Sequence, residues 1–434
     1  MKHQNDYDFP VRLLILEREY RQQIWWERLI PATTEGNRRK QALYQQMPYE
    51  LQLLTAQQQQ NVLKSFLEVI DCANAVDSLP DPDDLFWDTL RTLSNNGRPL
   101  FIGMAAVAIA HHGLHQIRQW DQQALLDYVL RHEQEAWQRL IGAKDLSHNQ
   151  DGIFDLLALS SVAAGFNYQV DEDTFFDVLN ELALFPNEAL LEHGLNLLPV
   201  LAGHHNDELQ PGRNDGYLQP DFFAEYFVLQ QWGACNGKLK RGTRPYLQAV
   251  YRLSPDNTLA FLARSAVDFT DDETVWLWWD HLYKNEAADK TPLDELAFSV
   301  IGQLRLRGKF DIALQRWLPQ LCESGDPQSL ARAFNLHGLL NIHLGHYETA
   351  LDYLKKSLAI QQEIGDKSGE GTTLNNISQI YDARGDYETA LDYLKKSLTI
   401  RQEIGDMAGL CATLFNMGHI HWQNEEKPDG NYSA

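Results

Sequence analysis

Positive charge, cysteine and long apolar runs are scarce in this chain of 434 residues. Lys and Arg total 37 against 60 Asp and Glu, a formal net charge of -23. That balance repels phosphate backbones unless a local basic stripe compensates, and no convincing stripe is present, so direct nucleic-acid binding is not expected. The four cysteines, Cys72, Cys235, Cys322 and Cys411, form no close pair. Neither a disulfide framework nor a zinc site is indicated, and they read as buried or neutral thiols. No uninterrupted apolar run approaches the roughly 20 residues of a membrane span, and the opening MKHQNDYDFP is no signal peptide. The expectation is a soluble, cytoplasmic chain of two to three domains, without membrane or cofactor.

Catalytic signatures are scarce as well. Nothing matches G-x-x-x-x-G-K-[ST], Gly-x-Ser-x-Gly or His-Glu-x-x-His, and no nucleophile is placed with a base. His111, His112 and His115 lie within one helical turn, and His111 shares a face with His115. No carboxylate or cysteine completes a ligand set, so a metal site is the minority reading. His204 and His205, in LAGHHNDELQPG, read as surface histidines of a polar loop. The aromatic run WLWWD at 276–280 reads as wedges between helices before it reads as a ligand-stacking box.

What is present is a repeat. Residues 345–366, GHYETALDYLKKSLAIQQEIGD, return at 385–406 as GDYETALDYLKKSLTIRQEIGD, with three changes at a spacing of 40. A period in this range means one helix pair per repeat, which must stack on its neighbours to bury its apolar face. A first helix, 372–385, carries Leu374, Ile377, Ser378 and Tyr381; a second, 387–405, carries Ala390, Leu394 and Ser397. Spacings of three and four put each set on one face. The small residues Ser378 and Ala390 allow close helix approach, and Gly338, Gly418 and Ala350 fill the same places in neighbouring repeats. Gly345 and Gly385 end first helices as left-handed caps. Lys355, Lys356, Lys395 and Lys396 form solvated outer faces.

These residues resemble the tetratricopeptide (TPR) family, in the 40-residue variant of kinesin light chains and many bacterial signalling proteins. A looser copy spans 296–317, with Gly308, Phe310 and Ala313 in the places of Gly345, Tyr347 and Ala350. A third copy starts at 409, and its Leu414, Met417 and Ile420 are expected to pack on the preceding pair. The chain then reads QNEEKPDGNYSA, so the last repeat is a half, read either as a capping helix or as truncation.

The first 240 residues do not repeat. VRLLILERE (11–19) reads as a buried strand leading into a helix; SNNGRPLFIGMAAVAIAHHGL (94–114) places Gly97 and Pro99 before a small-residue helix; GYLQPDFFAEYFVLQQW closes the region at 216–232. In that order the phrases resemble the later part of a STAND-class NTPase of the NACHT and NB-ARC type. The resemblance implies nucleotide contacts at Arg18, Gly97 and Pro99, a helical lid, and a winged-helix segment. The family's phosphate loop and magnesium carboxylate are missing, so hydrolysis by this chain is not expected and those residues would be relics. An apolar edge at VRLLIL invites pairing with another chain, which together with the half repeat points to a portion of a larger gene; the alternative is a natural helical-repeat adaptor.

The expected fold is therefore mainly α: a C-terminal TPR-type α-solenoid preceded by helical lid and winged-helix-like segments and the remnant of an α/β NTPase core. The expected boundaries are 1–93 for the core remnant, 94–145 for the lid, 146–235 for the winged-helix-like segment, 240–328 for degenerate helical repeats, 329–424 for the TPR repeats and 425–434 for a polar tail. The TPR resemblance implies a non-enzymatic scaffold whose first helices line a groove, where asparagines hold the backbone of a peptide or protein ligand. An amide can donate to a carbonyl and accept from an N–H at once. Asn335, Asn375, Asn376 and Asn416 fall on successive first helices, and Tyr381, Arg384 and His421 add specificity. Self-association through the repeat array or the N-terminal edge is a further expectation. The alternative function is the sensor half of a STAND ATPase in signalling or defence, its ATP-driven core supplied by a missing part.

Overall fold

The computed structural model describes residues 54–70, 72–81, 84–93, 99–165, 172–202, 216–218, 221–240, 242–285 and 289–425. The expected strand at 11–19, with Arg18, and Gly97 lie outside them. The described residues are mainly α-helical, and the chain divides into two compact units, Met1–Val129 and Leu130–Ala434.

In the first unit, α1 (Ala56–Val69), α2 (Ala73–Asp77), α3 (Phe86–Leu93), α4 (Pro99–His112) and α5 (Leu114–Ile117) precede the start of α6 (Gln122–Ala143). Thr55 and Gln58 form a capping box that satisfies the first amides of α1. Leu63 and Leu67 of α1, Phe86 and Leu90 of α3, and Phe101 and Ile102 of α4 are fully buried. Gly103 lets the Phe66 ring lie directly on α4, within 3.1 Å of where a Cβ would stand. The described part of 1–93 is thus helical.

In the second unit, α7 (Gln150–Val162) is buried along most of its length and forms a centre, followed by α8 (Glu172–Glu181), α9 (Glu188–Leu201) and α10 (Asp221–Trp232). Asp155 of α7 accepts from Gln231 Nε2 (2.9 Å), Trp232 Nε1 (3.2 Å) and Tyr246 Oη (2.9 Å). Burial pushes its pKa up while these donors hold it down. A hairpin, β1 (Ala234–Cys235) paired antiparallel to β2 (Lys238–Leu239), follows α10. Its turn residues Asn236 and Gly237 both have positive φ, 52° and 71°, the conformation a two-residue hairpin turn requires.

Next come α11 (Thr243–Leu253), α12 (Pro255–Asp268), α13 (Thr274–Asn285) and α14 (Thr291–Leu306), then α15 (Phe310–Ile312), a π-helical turn (Ala313–Trp317) and α16 (Leu318–Leu321). Trp278 and Trp279 are fully buried, and Trp279 donates to the Leu293 carbonyl at 3.0 Å while its ring lies 5.1 Å from that of Trp317. These two aromatics of 276–280 act as wedges between helices. Phe310 stacks on His343 at 5.1 Å and 8°.

The unit ends in five long helices: α17 (Pro327–His343), α18 (Tyr347–Ile364), α19 (Lys367–Ala383), α20 (Tyr387–Ile404) and α21 (Met407–Glu425). Asp326, Asp366 and Asp386 cap α17, α19 and α20, each accepting from the backbone N–H three residues on. Gly345 and Gly385, both at φ 76°, turn the chain between first and second helices. Ala350, Leu354, Ile377 and Ile380 form one buried cluster, and Ala390, Leu394 and Ile420 the next.

Candidate peptide-binding surface

The first helices of the repeats, α17, α19 and α21, carry the four asparagines, which the fold joins in two pairs. Asn376 Nδ2 donates to Asn335 Oδ1 at 3.1 Å, and Asn416 Nδ2 donates to Asn375 Oδ1 at 3.1 Å. Each bond therefore spans 41 residues, one repeat plus one position. Asn335 also donates to Thr373 Oγ1 at 2.5 Å. The central helix holds its pair tightly: Asn375 and Asn376 are 8% and 6% exposed, whereas Asn335 and Asn416 are half-buried. An amide offers two donors and two acceptor positions, so the outer two have both the exposure and the capacity to engage a ligand.

Below the amides runs a line of hydroxyls. Ser357 Oγ donates to the Ala331 carbonyl at 2.8 Å and lies 3.4 Å from Thr373 Oγ1; one repeat on, Ser397 Oγ donates to the Gly371 carbonyl at 2.8 Å and lies 3.2 Å from Thr413 Oγ1. Arg401, buried in the place of Gln361, donates from Nε to Ser397 and from Nη1 to Asp406. These bonds fix the spacing of successive first helices, and with it the spacing of the asparagines.

Tyr381 is half-buried and stacks on Tyr393 at 5.5 Å and 10°. Arg384 donates to Glu348 at 2.9 Å, and His421 is exposed on α21. Pro99 begins α4 in the first unit. Asp382 of α19 was not singled out in the sequence. Its Oδ1 is buried with no hydrogen-bond partner among the described residues, and burial pushes its carboxyl pKa up, partly opposed by His419. A carboxylate on a helix looks like solvated polarity in sequence, and only its neighbours reveal the orphan oxygen.

The last helix departs from expectation in part. Ile420 is 2% exposed and Met417 packs on the Ala390 and Leu394 cluster, but Leu414 is 47% exposed. Its counterpart Leu374 is 4% exposed. The second helix of its repeat, α20, packs against α19, and no such helix covers α21 among the described residues.

Interlocked helix pairs, aspartate caps and small-residue seams at a 40-residue period are what this segment shows. Residues 329–403 match the tetratricopeptide repeat family model. Among solved structures, the crystal structure of BtubC (BKLC) from P. vanneervenii aligns with 44% of this chain and 87% of that one, at 17% identity and a TM-score of 0.30. No curated protein matches the chain significantly. The tetratricopeptide segment therefore covers α17 to α20, and α21 extends it by one first helix. Among the described residues no group of three or more His, Cys, Asp or Glu could hold a metal ion, and no helix is long and apolar enough to cross a membrane. His111, considered above as a ligand, has Nδ1 2.6 Å from the Tyr128 hydroxyl.

Proposed function

We propose that the chain is a non-catalytic protein-interaction scaffold whose tetratricopeptide segment holds an extended peptide, or an extended segment of a protein, along its first helices. Stacked repeats present such helices on a concave surface. The observation that carries the reading is the asparagine pairing across α17, α19 and α21. Pairing holds the amides of Asn335 and Asn416 in fixed orientation, at the half-buried edges where a peptide backbone can bond them. Asp382 supports it, because a buried carboxylate oxygen without a donor gains most from a ligand N–H or cation. With little more than two full repeats the groove is short, and modest affinity is expected.

The test is panning of a library of short random peptides against the full chain. Selected peptides are then titrated calorimetrically against the wild type and an Asn335→Ala/Asn416→Ala variant. Loss of two backbone hydrogen bonds should weaken binding by about tenfold or more. Equal affinity for both proteins, or no binder after exhaustive panning, would sink the reading.

A further inference from the structure

The last helix carries a surface that the peptide-binding reading does not use. Met407, Leu414, Phe415 and Trp422 of α21 are 68%, 47%, 76% and 56% exposed, and Cys411 and Gly418 between them are also exposed. At 100° per residue the six fall within an arc of about 100°, one continuous apolar stripe. Where Gly338 meets Leu354 of its second helix, Gly418 has nothing within 4 Å.

Two features say what covers the stripe. First, the 18 residues from Met407 to Asn424 contain no Asp, Glu, Lys or Arg in a chain of net charge -23. A surface kept free of charge in so acidic a molecule lets a second equally acidic copy approach there without like charges opposed at the contact. Second, the stripe is a palindrome. Run antiparallel about the midpoint between residues 414 and 415, it sets Leu414 against Phe415 of the other copy, Cys411 against Gly418 and Met407 against Trp422. Large meets large at the centre, and small meets small one turn out, where the helices can close. Self-complementarity about a two-fold axis is the requirement of an isologous interface. The repeat does not dictate this pattern, since Phe415 and Trp422 stand where α19 has Asn375 and Asp382.

We infer that two copies of the chain associate through α21, antiparallel and with two-fold symmetry. Two such stripes bury on the order of 1,000 Å², the lower bound for a specific interface, so the dimer is reversible, with a dissociation constant of order micromolar.

Sedimentation of the full chain across concentrations bracketing about 1–100 μM should show monomer passing to dimer. Phe415→Asp should weaken that association at least a hundredfold while leaving the circular dichroism spectrum and melt in place, because the side chain is exposed in the single copy. A second measurement fixes the register. In a Cys235→Ser background treated with diamide, which takes up the two electrons and two protons, Gly418→Cys should oxidise to a covalent dimer joined between position 411 of one copy and position 418 of the other. Without that change the two Cys411 thiols stand about 10 Å apart along the helix axis and stay reduced. A monomer throughout, a dimer indifferent to Phe415→Asp, or a covalent dimer formed by Cys411 alone would each overturn the inference.

Discussion

Replacing Gly338 by Ala in α17 sets two effects of known size against each other. In the middle of a helix the change removes backbone freedom from the unfolded chain and should stabilise by about 1 kcal/mol. The added Cβ would stand 2.5 Å from Leu354 Cγ, 2.7 Å from its Cδ2 and 3.1 Å from the Ala350 carbonyl oxygen. Two of those atoms belong to a side chain buried on all sides and the third to backbone, so α18 must withdraw. Overpacking of that kind costs about 1–3 kcal/mol. The next repeat places Ser378, 1% exposed, at the equivalent position, so the seam can be built around a Cβ and the cost stops short of the upper end, at about 2 kcal/mol. The expected net effect is a loss of about 1 kcal/mol. Gly302 in α14 is the control: nothing lies within 4 Å of its added Cβ, so Gly302→Ala should stabilise by about 0.5–1 kcal/mol. Native-state hydrogen exchange read peptide by peptide separates the two sites. Exchange from residues 327–364 should quicken about fivefold in Gly338→Ala, and exchange from residues 291–306 should slow in Gly302→Ala. If Gly338→Ala slowed exchange as Gly302→Ala does, the seam would not be close-packed and the account of how these helices interlock would fail.

Two further outcomes follow from titratable groups. The His337 ring lies 3.6 Å from that of Tyr353, at 18°, and burial, helped by the Lys356 charge, holds its pKa below the usual 6.5. The unfolded chain therefore binds the proton more readily. Stability is full above pH 6.5 and is lost as pH falls through 6.5 toward the folded value. His343, shifted the same way by burial and Arg305, adds to the loss. Melts between pH 7.5 and 5.5 should show a shallower decline in His337→Phe than in the wild type, and equal slopes would remove His337 from the account. Burial also pushes the Cys322 thiol up to about 11, whereas Cys235 is exposed. At pH 8 iodoacetamide should alkylate Cys235 well before Cys322 by mass spectrometry, since the thiolate is the nucleophile; the reverse order would contradict the placement of Cys322.

The repeat segment was legible in the sequence because its determinants are local and recur. Small residues at the seam, glycines after first helices and a 3.6-residue apolar period each act within one helix pair, and the second copy confirms the first. The hairpin at 234–239 has an equally local cause, Asn236-Gly237 at its turn, but its two-residue strands are too brief to carry a pattern and it was not expected from the sequence. Arg18 and Gly97 lie outside the described residues, so the nucleotide contacts that the resemblance implies rest on sequence alone. Other features needed the tertiary structure. Asn375 and Asn376 read alike in sequence, yet each finds its partner 41 residues away on a different neighbouring helix, and the burial of both follows from their central place in the stack. Asp382 owes its orphan oxygen to burial beside His419. Leu374 and Leu414 occupy equivalent places, but one is 4% and the other 47% exposed. Periodicity determines which face of a helix is apolar; whether that face is core or surface depends on what packs against it, and in a stack that is decided by the neighbouring helices.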